Sequence, residues 1–357
     1  MKFLQYMSFY SEYLKNFYTR HSELQIASFQ TQMMALETDG FSGGHLFASS
    51  MKHLGYDTEF AVVDCIPAQC AWMAEYCSMT GSPSRSEIIK AQVDKICPDI
   101  LFISDPVALN PQVLRRCNWK PRLVIAWRAA PTPNGSDWSD VDLMISSHAG
   151  CRKQALSFGA KAVQEFRPGF PNFVSKALLG VGKVFDVVFT GQVGEYHHKR
   201  IDTIKRLAGI TRLQKEQGLS LFLLNPSGIA LGIAEAYARP AVWGMDMFKA
   251  LKQGRIVVNS HVDMALGESQ NMRLYEATGV GSFLLTEYSP QLSEVFEPGV
   301  EIETYASVDE MEDKITYYLD HPDKRERIAQ KGQERCLKDH GVEVRAKQLD
   351  AIIKEYL

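Results

Sequence analysis

Short, uninterrupted apolar runs alternate with stretches of helical spacing along the first half of the chain. This pattern predicts a parallel sheet with helices on both faces. Residues 2–7 read as the opening strand, and residues 10–38 as helices rich in Tyr, Phe and Met, an insertion of unusual length before the next strand. The stretch DGFSGGHLFASSMKHLGYDTEFAVVD then supplies a glycine turn, a helix capped at Gly55 and a strand over 58–63. An amphipathic helix over 85–97 leads into PDILFISD, and RLVIAWRA (122–129) and VDLMISS (141–147) are two further buried-type strands. A helix over 149–158 and a short strand over 162–166 complete the set.

The pattern breaks at RPGFPNFVSKALLGVGK, 167–183, which is dense in Gly and Pro and reads as a linker. It restarts at FDVVFTG (185–191), with later strands at 219–225, 255–260, 281–286 and 301–306 and closing helices at 308–320, 322–337 and 342–357. The expected fold is α/β, with two doubly wound, Rossmann-like lobes. Residues 1–175 form the first, 176–340 the second, and 341–357 a terminal helix returning to the first. Such lobes bind ligands beyond the carboxyl ends of their strands, so a central cleft that both face is expected.

Composition narrows the class. The chain has 357 residues, 45% of them hydrophobic and 23% charged, which describes an ordinary globular protein of about two domains. A net charge of −3 gives no electrostatic reason to expect nucleic acid as a partner. Seven cysteines, an odd number with no CxxC pair, fit reduced thiols and a cytoplasmic location. No apolar run reaches the ~18 residues of a membrane span, and the N-terminus lacks the features of a signal peptide.

The most informative stretch is ESQNMRLYEATGVGSFLLTE, 268–287. Glu268 precedes a predicted helix over 270–279, Asn271 lies near its start, and Glu276 lies about a turn and a half further along it. A helix start favours an anion, and the two acids offer acceptors for hydroxyls on either side of it. The loop GQVGEYHHKR (191–200) places Gly191, Gln192 and Gly194 where backbone can approach phosphate, with Lys199 or Arg200 to supply charge. WGMDM (243–247) offers Trp243 and Met245 to pack a base or a core, and Lys249 and Lys252 lie one helical turn apart. Asn259 and His261 end a strand. In the first lobe, Gly43, Gly44 and His45 form the glycine turn, while Asp105, Trp127, Arg128 and His148 close apolar strands. DWSDVD (137–142) resembles a metal-binding acid motif, but acids are common in loops that precede a buried strand.

NMRLYEATGVGSFLLTEY, LSEVFEPGVEIETYASVDEMEDKITYYLDHP and KRERIAQKGQERCL resemble the CgeB-like glycosyltransferases of the GT-B fold. WGMDMFKAL, RIVVNSHVD and FDVVFTGQVGEYHHKRI fit the same family, so the resemblance runs over most of 185–345. It implies transfer of a hexose-type sugar from a UDP- or GDP-linked donor held mainly by the second lobe. The resemblance also implies that no cofactor or metal is required. Glu268 and Glu276 fit the acid pair of related retaining enzymes, Glu276 for the ribose and Glu268 near the donor sugar. Met272 and Arg273 fall within the donor motif. His45, His148 and Glu268 are the catalytic candidates, and Gly43, Gly44 and Arg128 belong to the acceptor side. The segment RAAP departs from the family pattern at the position of an acid or histidine, which leaves a catalytic base unassigned. The acceptor would be a glycan, lipid, protein or small molecule, and the 6–41 insertion offers either an acceptor pocket or a contact with a membrane surface. The rival readings are a GT-B-fold nucleotide-sugar epimerase and an inactive nucleotide- or sugar-binding protein.

Overall fold

The computed structural model describes residues 1–77, 83–195, 197–225, 227–261 and 271–357. The chain divides into two compact units, 1–168 with 342–357, and 169–341. Glu268 lies outside the described residues.

The first unit contains β1 (Lys2–Met7), α1 (Ser11–Arg20), α2 (Phe29–Asp39), α3 (Ala48–Lys52), β2 (Asp57–Val62), α4 (Ile66–Tyr76), α5 (Arg85–Ile96), β3 (Ile100–Ile103), β4 (Leu123–Trp127), β5 (Leu143–Ser146), α6 (Ala149–Ser157) and β6 (Ala162–Glu165). Its six strands are all parallel, in the order β2-β1-β3-β4-β5-β6. The central runs ILFI, LVIAW and LMIS are buried throughout, as strands covered on both faces must be. α5 begins with a capping box in which Ser84 and Glu87 satisfy each other's backbone N–H groups.

The inserted helices α1 and α2 do not carry the glycine turn away from β1. Gln5, a fully buried polar residue within that strand, donates to the His45 carbonyl (2.6 Å) and accepts from the N–H groups of Phe47 (2.8 Å) and Ala48 (3.0 Å). A strand side chain therefore caps α3 and pins the Gly43–His45 turn beside β1.

The second unit contains α7 (Phe173–Ala177), β7 (Phe185–Gln192), α8 (His198–Gly209), β8 (Leu219–Leu224), β9 (Ala238–Pro240), α9 (Gly244–Gln253), β10 (Gly254–Asn259), α10 (Arg273–Gly279), β11 (Phe283–Glu287), β12 (Glu303–Tyr305), α11 (Val308–Asp320) and α12 (Pro322–Asp339). Its strands are again all parallel, in the order β12-β11-β10-β7-β8-β9. The unit begins at Gly169, ahead of the expected boundary at 175/176. Phe170 and Val174 are fully buried in its core beside Phe248, Leu274 and Tyr275, and the Phe170 N–H donates to the His340 carbonyl (2.8 Å). A Pro/Gly-rich composition thus hides two apolar anchors. The last helix, α13 (Val342–Tyr356), belongs to the first unit: it packs on α3, Tyr56 donates to Asp350 (2.8 Å), and buried Arg345 donates to the Pro168 carbonyl (3.0 Å).

Candidate functional site

In the second sheet the strand order reverses between β7 and β10, and doubly wound folds bind ligands beyond the carboxyl ends of such a pair. The loop after β7 holds Gly191, Gln192 and Gly194, and β10 ends at Asn259. Arg200, in the first turn of α8, ties the two together. It donates to the carbonyls of Gln192 (2.7 Å) and Ser260 (3.2 Å) and is only 9% exposed. A Cβ at Gly191 would meet the Phe189 ring at 3.3 Å, a tight contact, and the Arg200 guanidinium at 3.6 Å, an ordinary one. Lys199 points outward, with its side chain 68% exposed and its ammonium 3.4 Å from Glu287. Glu287 also accepts from the His261 N–H (3.2 Å), and burial pushes the His261 imidazole below its ordinary pKa against the pull of this acid. The Asn271 amide is 3.0 Å from Asn259, which donates to Thr286 (2.9 Å), while Tyr305 donates to the Asn259 carbonyl (2.8 Å).

α10 starts at Arg273, so Asn271 and Met272 precede the helix instead of opening it, and the Asn271 side chain is turned to Asn259. Arg273 and Glu276 lie one turn apart and pair at 2.7 Å, with side chains 14% and 12% exposed. Burial raises the Glu276 pKa and Arg273 opposes the shift. Arg273 also reaches the Met247 sulfur at 3.3 Å, which joins α10 to α9. Trp243 caps α9 through its carbonyl, Met245 packs on the core of the unit, and Lys249 is exposed. The structure therefore groups Gly191, Gln192, Lys199 and Arg200 around the β7–β10 switch, and the Arg273–Glu276 pair with Met247 of α9.

The first sheet reverses between β1 and β3. Beyond these strand ends, Arg128 pairs with Asp105 (3.0 Å) and also donates to the carbonyls of Ala130 (3.1 Å) and Pro131. His45 packs against Trp127 with ring centroids 4.7 Å apart, and burial lowers its pKa to about 4. Gly43 and Gly44 are buried in the turn before it. His148 sits at the start of α6, where its N–H donates to Ser146 (3.1 Å). The acids of DWSDVD are each engaged: Asp137 and Asp140 with Arg115, and Asp142 with Lys161 (2.6 Å) and the Val124 N–H (2.7 Å). Among the described residues no group of three or more His, Cys, Asp or Glu is arranged to hold a metal.

Residues 223–351 match a family model described as glycosyl transferase-like. By sequence, no curated protein matches the chain. The chain is similar in structure to HepE from Anabaena solved with UDP-glucose, at a TM-score of 0.62 and 10% identity, over 99% of this chain and 100% of the other. It is also similar to sucrose-phosphate synthase from Thermosynechococcus elongatus, at 0.56 and 11% identity, over 99% and 98% of the two chains. A third similar structure, from Listeria monocytogenes, is described as a UDP-N-acetylglucosamine 2-epimerase, at 0.51 and 10% identity over 100% and 96%. The chain carries the GT-B fold.

Within that GT-B framework, sequence reasoning passed over two residues. Glu287 ends β11 directly after a buried apolar run, the same position in a strand that drew attention to Asn259. Gln5 is the one polar side chain inside KFLQYM beyond its first residue, and a polar group in a doubly covered strand must have buried partners. Both signals were present in the residue pattern.

Proposed function

We propose that this chain is a glycosyltransferase that takes a sugar from a nucleoside-diphosphate donor held by the second unit, with the acceptor held by the first. The observation that carries the proposal is the set of side chains at the β7–β10 switch. An arginine fixes the glycine loop, an exposed lysine stands at its end, and a buried carboxylate waits on α10. UDP is the favoured diphosphate, because the similar HepE structures are solved with UDP-glucose and with UDP.

In this reading the ribose hydroxyls donate to Glu276, and Arg273 keeps the carboxylate aligned until they arrive. Lys199 exchanges Glu287 for the diphosphate, whose charge grows as the sugar–phosphate bond breaks. The acceptor oxygen forms the new bond to the anomeric carbon and its proton leaves with the diphosphate, which gives retention without a metal or a separate protein base. Glu268 stays assigned to the donor sugar. His45, largely neutral at physiological pH, serves the acceptor side as a hydrogen-bonding group rather than a cation.

The test is chromatographic. Purified protein is incubated with UDP-, GDP-, dTDP- and CDP-hexoses, with and without candidate acceptors, and free diphosphate is measured. The expected result is UDP release that a competent acceptor accelerates and that Glu276→Gln reduces by about tenfold or more, the effect of losing one hydrogen bond to a charged group. The similarity to the structure described as an epimerase favours a second reading, in which the sugar is isomerised on the nucleotide without an acceptor. Conversion of a donor to an isomeric nucleotide sugar without diphosphate release would favour that reading. No change in any donor would refute both.

A further inference from the structure

The first unit carries a groove that the candidate site does not use. β2 is an edge strand with β1 on one side only, and α2 packs against β2 and α4 along that border. Beside them opens a groove of about 460 Å³, a volume within the ordinary range for small-molecule sites. It takes its wall from Phe60 and from Lys2 at the opening end of β1, so it lies away from the strand ends that carry Asp105, Trp127 and Arg128.

The apolar surface its floor offers is that of Met34, 60% exposed, and Tyr76, 46% exposed, laid over the covered side chains of Phe29, Met33 and Trp72. Its rim is cationic. Lys52 and Lys95 are exposed and form no ion pair among the described residues, and the Lys95 ammonium stands 5.6 Å from the centre of the Tyr76 ring. Of the two lining acids, Glu37 accepts from the Ser49 hydroxyl and Glu59 lies beside the third lining lysine, Lys2, so the lysines outnumber the acids by one. An apolar floor gains from displacing water with hydrocarbon, while two unpaired ammonium groups gain from an anion. A bare phosphate would leave the floor wet, and a neutral hydrocarbon would leave the rim unpaired.

We propose that this groove binds a free anionic amphiphile, with its aliphatic body on Met34 and Tyr76 and its headgroup at Lys52 and Lys95. The inference does not depend on the glycosyltransferase reading. It is tested by calorimetric titration of the full chain with decyl phosphate below its micelle concentration, beside decanol and inorganic phosphate. Decyl phosphate should bind, with each half-molecule control about tenfold weaker or more. The pair Lys52→Glu and Lys95→Glu should weaken decyl phosphate by about tenfold or more while leaving decanol within about threefold. Gln30→Trp, on the exposed side of α2, should obstruct both ligands. These positions are exposed, and unchanged thermal unfolding confirms that each variant folds. Equal binding of decanol and decyl phosphate would overturn the proposal, as would wild-type affinity in the lysine variant. Co-sedimentation with anionic vesicles without binding of the monomer would overturn it too, and would assign the face to a bilayer.

Discussion

Lys199 and Arg200 sit side by side at the start of α8, but their charges are held in different ways. Arg200 is buried and bonded to two carbonyls, whereas Lys199 is exposed beside Glu287. Exposed ion pairs contribute little, so Lys199→Ala should change stability by less than about 0.5 kcal/mol while weakening UDP by about tenfold. Arg200→Ala leaves two inward carbonyls without their donor and should cost about 3 kcal/mol, read by urea unfolding. The sequence presents two adjacent cations and no means of choosing between them, because the choice depends on where the chain returns after β10. His45 carries a second prediction. Folded His45 takes its proton near pH 4 and the unfolded residue near the ordinary value of about 6.5, so between these values the unfolded chain binds more protons. Stability should therefore fall as pH drops through that window. His45→Gln should remove about 2 kcal/mol of the loss between pH 7 and 5 in urea titrations, leaving the part due to His261.

At the level of elements, close backbone approach decides what glycine does. A Cβ at Gly332 on α12 would lie 2.3 Å from the Glu301 carbonyl oxygen, and one at Gly279 on α10 would lie 2.4 Å from the Phe170 ring. At Gly209, the last residue of α8, it would meet nothing within 4 Å. Gly332→Ala should cost about 2 kcal/mol or more in equilibrium unfolding, whereas Gly209→Ala should be neutral or stabilising by about 0.5 kcal/mol. The same contrast explains what the sequence allowed. The parallel strands were legible because burial on both faces writes them as apolar runs, such as ILFI and LVIAW. β9 was not, since its three residues are exposed and Pro240 lies within it. The anchoring role of Phe170 and Val174 was hidden by neighbouring Pro and Gly, and Gln5 by the distance in sequence to its partners at 45–48.

The whole molecule is built on two six-stranded parallel sheets of the GT-B fold, and the proposed donor site lies on the second. The sequence drew attention to the α10 stretch through Glu268 before it and Glu276 within it, of which the described residues include Glu276. The Arg273–Glu276 pair and the Arg200 clamp required the folded chain. No helix among the described residues is long and apolar enough to cross a membrane. The most direct test of donor binding is calorimetric titration of the intact protein with UDP, GDP, dTDP and CDP, repeated with Glu276→Gln. The account predicts that UDP binds and that the substitution weakens it by about tenfold or more. If no diphosphate binds, or if UDP binds with the same affinity to Glu276→Gln, the donor site at the β7–β10 switch and α10 is contradicted.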